Sequence, residues 1–176
     1  MKVKGIRFIT ITALMLALTI VFQMLRVILG LPNTIVTQLL VGTLVNLCLL
    51  VATAGAGIFS GIIISLAAPI VAFLQSSVPA FWVVPFIAIG NMAIVIIYGL
   101  LYEKSKILGF TFGAILKTAI LWVGVAVVGI SVFGLPEAAI PVVQLNFTWP
   151  QIITAMAGGI LSLPVVAALK PMFKQS

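Results

Sequence analysis

Apolar residues run along this chain in blocks of about twenty, and polar positions gather between the blocks. A membrane-spanning helix needs a stretch of about that length, so each block is read as one candidate span. The first runs from about Phe8 to Leu29 and ends at "GLPN"; the second runs from about Ile35 to Ala52 and stops at "TAGAG". The third covers about Ile58 to Leu74, carries Pro69 and ends at "QSSVP". The fourth covers about Trp82 to Tyr102, the fifth about Leu108 to Phe133, and the sixth about Pro150 to Leu169. The pattern therefore predicts an all-α integral membrane protein, residues 1–176 forming a single domain of six transmembrane helices. The second and third spans are short enough to be tilted or partly re-entrant. The first block is too long for the apolar core of a cleaved signal peptide and lacks a small-residue cleavage site.

Composition agrees with the pattern. The chain is 64% hydrophobic and 6% charged, against roughly a quarter charged in soluble domains. Its net charge of +7 is not a nucleic-acid patch, because the basic residues are dispersed by topology. Lys2, Lys4 and Arg7 open the chain, Lys104 and Lys106 follow the fourth span, and Lys170 and Lys174 close it. Six spans put these three clusters on one side, which the positive-inside bias assigns to the cytoplasm together with both termini. Arg26 then lies outside and Lys117 within a span.

The other side carries "GLPNT", "QSSVPAFW" and "FGLPEAAIPVVQLNFTW". The last is long and rich in proline and aromatic residues, as a loop that closes over a ligand site would be; Trp82 and Trp149 equally fit an interfacial aromatic belt, and the two roles are compatible. Gln23, Gln38 and Gln75 lie towards these outer ends, where a water-filled pocket would use them. Asn46 and Asn91 lie deeper and are expected to hydrogen-bond between helices. Lys117, about 13 Å of helical rise beyond Leu108, is expected to snorkel or to pair structurally in preference to contacting an anionic ligand.

Catalysis finds little to work with. There is no histidine, the two acids are Glu103 and Glu137, and no nucleotide-binding motif appears, so neither a metal site nor an enzyme is expected. No carboxylate lies within a span to hold sodium or relay protons. Cys48, the single cysteine, reads as a small buried hydrophobe.

Ala13 and Ala17 stand one helical turn apart in "ITALMLALTIVF" and leave a shallow strip on span one, where a second helix can come close. With that motif, and with "VGTLVNLCLL", "SGIIISLAAPIVAFL" and "VVPFIAIGNMAIVIIYGLL", the chain resembles, along its full length, the substrate-binding S components of energy-coupling factor (ECF) vitamin importers. These are subunits of a type of ABC transporter complex. The resemblance implies a multi-pass protein of the bacterial cytoplasmic membrane that captures a water-soluble vitamin or related micronutrient at the outer face. It further implies docking through Ala13 and Ala17 on a transmembrane T component joined to two ATPases, which hydrolyse the ATP; this chain would bind no cofactor. The absence of histidine separates it from the nickel and cobalt branch.

Phe81, Trp82, Phe147 and Trp149 would stack a planar ring; Gln23, Gln38, Gln75 and Asn146 would supply amides. This favours a neutral cobalamin-type corrinoid, while Arg26 or Lys117 would fit a carboxylate such as folate or pantothenate. Two rival readings are a standalone small permease and a structural or assembly membrane protein without a ligand.

Overall fold

In the computed structural model, residues 2–30 and 34–174 are described, with side chains for 5–30 and 34–169; residues 31–33, within the segment expected to form the first outer loop, fall outside the described residues. The described residues are mostly helical: α1 (Lys2–Ile28), α2 (Ile35–Ala56), α3 (Ile58–Leu74), α4 (Val83–Leu101), α5 (Lys106–Leu121), α6 (Ile130–Phe133), α7 (Ile140–Asn146) and α8 (Trp149–Lys174). A π-helical segment, Trp122–Gly129, joins α5 to α6 without a break, and a 3₁₀ turn at Glu137–Ala139 leads into α7. Five helical stretches are long and apolar enough to cross a membrane, and α3, with 17 residues, is a shorter apolar helix. Large apolar side chains face outward on every long helix, among them Leu14, Phe59, Ile96, Phe112 and Ile160. These features describe an all-α, multi-pass membrane protein.

Several boundaries depart from the sequence expectation. Helix α2 does not stop at "TAGAG" but continues to Ala56, because Thr53 and Gly55 are buried against neighbouring helices and are held helical. It ends where Gly57 takes a φ of 94°, in the region that favours glycine. The long segment expected to be loop contains α7. Its Pro141 sits in the first turn, where no backbone N–H is needed, and its Val143 is buried with Phe147. Thr34 and Ser105 accept the backbone N–H of Thr37 and Leu108 and so start α2 and α5.

Close helix contact depends on glycine at two seams. A Cβ on Gly158 of α8 would lie 2.8 Å from the Thr43 carbonyl oxygen of α2, and one on Gly113 of α5 would lie 2.9 Å from the Ile94 Cα of α4. Backbones therefore approach to a distance that no larger residue allows. Helix α1 lies across α2 and α3 and is tied to α3 by Thr12 Oγ1 donating to Ser60 Oγ at 2.7 Å.

One end of this bundle gathers charge. Arg7 donates to the Gly55 carbonyl at 2.7 Å, Lys106 lies 4.9 Å from the ring centre of Tyr102, and Glu103 is exposed nearby. The opposite end opens into a cavity.

Candidate functional site

The cavity, about 390 Å³, lies among the far halves of α1, α2, α3, α4 and α5, roofed by the 3₁₀ turn, α7 and the start of α8. Its geometry begins with a stripe on α2. Thr37, Gln38, Val41, Gly42, Val45 and Asn46 all line it, spaced so that they share one helical face. Helix α4 contributes Ile87 and Asn91, and α5 contributes Lys117 and Leu121, each pair one turn apart.

Lys117 is 3% exposed and Asn46 is 1% exposed, so an ammonium lies deep at the floor. Lys117 Nζ donates to Asn46 Oδ1 at 2.8 Å. Asn46 Nδ2 in turn donates to the Gly42 carbonyl at 2.8 Å and to Thr154 Oγ1 at 3.5 Å. The amide is thereby fixed with its oxygen towards the lysine. No acid is among the cavity's lining residues; of the chain's two, Glu103 lies at the charged end and Glu137 is exposed. A buried cation without a carboxylate is costly, and here one neutral amide oxygen offsets only part of that cost.

Nearer the mouth, Arg26 donates to Ser77 Oγ and both residues line the cavity. Gln23 Nε2 donates to the Ala68 carbonyl at 3.0 Å, while Gln23 Oε1 is buried without a partner among the described residues. The roof is pinned by two amides. Gln38 Nε2 and Gln151 Nε2 both donate to the Asn146 carbonyl at 2.8 Å, and Phe147 is buried beside Val143.

Of the residues expected at a ligand site, Gln23, Arg26, Gln38, Asn146, Phe147 and Lys117 are brought together here. The other four are not. Trp82 stacks on Phe133 with ring centres 5.4 Å apart and meets Phe86 edge-on, five residues from Ile87 and so turned well away from the cavity face of α4. Phe81 is exposed and packs edge-on against Phe73, Trp149 is exposed, and Gln75 lies outside the cavity lining. Lys117 does not snorkel to the charged end; it pairs with Asn46. Asn46 hydrogen-bonds between helices as expected, but it and Asn91 also line the cavity, and sequence reasoning passed over that role and over Gln151.

Ala13 and Ala17 are exposed on the outer face of α1, whose buried positions are Thr12, Met15, Thr19 and Gln23. Another small pair of the same spacing, Ala155 and Gly159, is buried inside the bundle, and Gly159 lies against the Phe110 ring. No family model matches the chain, and no curated protein or solved structure does either.

Proposed function

We propose that this chain is the substrate-binding S component of an ECF-type importer. Six spans, the short α3 included, cross a bacterial cytoplasmic membrane. The charged end faces the cytoplasm by the positive-inside bias, with both termini there. The cavity then opens outward, as capture of a scarce solute requires. The observation that carries the reading is the separation of two features on one small bundle. A roofed polar cavity occupies one end, and Ala13 and Ala17 form a small-residue strip on a face that the described residues leave exposed. Close packing of such a strip is how helices associate in lipid, where no hydrophobic drive exists between them.

The partners on this reading are a T component and two ATPases, which supply the energy. The bound molecule is a water-soluble micronutrient of modest size. A corrinoid with its nucleotide tail is far larger than about 390 Å³, so the carboxylate class is favoured over the neutral macrocycle. Reconstitution into liposomes tests the function. The chain alone should retain a bound small molecule and give no uptake above leak, whereas uptake by the chain alone identifies a standalone permease.

A further inference from the structure

We infer that the cavity selects a ligand carrying a carboxylate, and that Lys117 is the residue that binds it, at the cavity floor. The inference rests on the reading of the cavity as a small-molecule site and adds the chemistry of what enters.

Lys117 has three donor hydrogens, and Asn46 Oδ1 takes one of them. Among the described residues nothing answers the rest of the ammonium's hydrogen bonding or its charge, since no acid lines the cavity. Asn46 cannot turn away without breaking its bonds to Gly42 and Thr154, so the ammonium is held in place before a ligand arrives. A carboxylate at this depth completes the lysine's hydrogen bonds and neutralises a charge that burial makes expensive. A cationic ligand is repelled by the same arrangement. A phosphate brings up to two charges and three acceptor oxygens, more than a single ammonium answers at a floor whose other walls include Val45 and Leu121.

The test uses the whole chain purified in detergent. Small molecules released by denaturing it are identified by mass spectrometry, from wild type and from Lys117→Met. The released compound's carboxamide, and the pairs biotin and biotinamide, nicotinate and nicotinamide, and pantothenate and its alcohol, are then compared by calorimetry on the wild-type protein. The expected result is a released carboxylate that is missing from Lys117→Met, and a carboxamide binding weaker by about tenfold or more, the worth of one charge-assisted hydrogen bond. The carboxamide comparison needs no variant and holds whether or not Lys117→Met folds. A released neutral compound, or equal binding of acid and amide, overturns the carboxylate inference and leaves the binding reading standing. No released compound and no binding of any pair overturns both.

Discussion

Asn46 holds three helices at one point: its oxygen takes the Lys117 ammonium of α5, and its nitrogen serves Gly42 of its own helix and Thr154 of α8. Asn46→Leu removes the one acceptor that the described residues give a buried cation. It should cost about 2–3 kcal/mol, the penalty of leaving a buried charged donor unsatisfied. Adding Lys117→Met should recover most of that loss, because the uncompensated charge is then gone. Unfolding of the two single variants and the double variant in one detergent checks this. Additive losses would mean that the bond couples nothing. At this scale the sequence located Lys117 in depth but not in direction. Counting residues from Leu108 measures rise along a helix, whereas the choice between the charged end and the cavity depends on which neighbour α5 turns towards.

At the scale of elements, the seam between α2 and α8 is set by the absence of a side chain at Gly158. Gly158→Ala would place a Cβ 2.7 Å from Asn46 Cβ and 2.8 Å from the Thr43 carbonyl. It should therefore destabilise the bundle by about 1–3 kcal/mol through overpacking. Gly5→Ala, with nothing within 4 Å of the new atom, should not lower the melting temperature, since alanine is the better helix former. An unaltered melting temperature for Gly158→Ala would show that the seam has slack. The long helices were legible because apolar blocks of spanning length have few other solutions. Helix α7 was not legible: seven residues between prolines and aromatics read as loop, and what orders them is tertiary, through the buried Val143 and Phe147 and the two amides on Asn146. The aromatic residues misled for a related reason. Phe81, Trp82 and Trp149 cluster with the cavity in sequence, yet their helical phase or exposure turns them to other rings or outward.

At the scale of the whole molecule, the bundle divides its labour by surface. The cavity lies within five helices at one end, and Ala13 and Ala17 lie on the outside of α1. That division is what the proposed docking role requires, a partner surface separate from the ligand cavity. Small-residue pairs of this spacing recur in the sequence, and spacing alone did not separate them; the fold does, burying Ala155 and Gly159 as well as Gly109 and Gly113 and leaving Ala13 and Ala17 exposed. The most direct measurement is therefore complex formation by the Ala13→Leu/Ala17→Leu double variant with the T component and two ATPases of its own cell, followed by size-exclusion chromatography in detergent. Two leucines on the strip should hold the partner helix off and forfeit much of the dispersion contact along the seam. The prediction is a variant that folds, keeps its bound small molecule and no longer elutes with the complex. A double variant that still co-elutes with those subunits as wild type does would contradict the assignment of this face to docking.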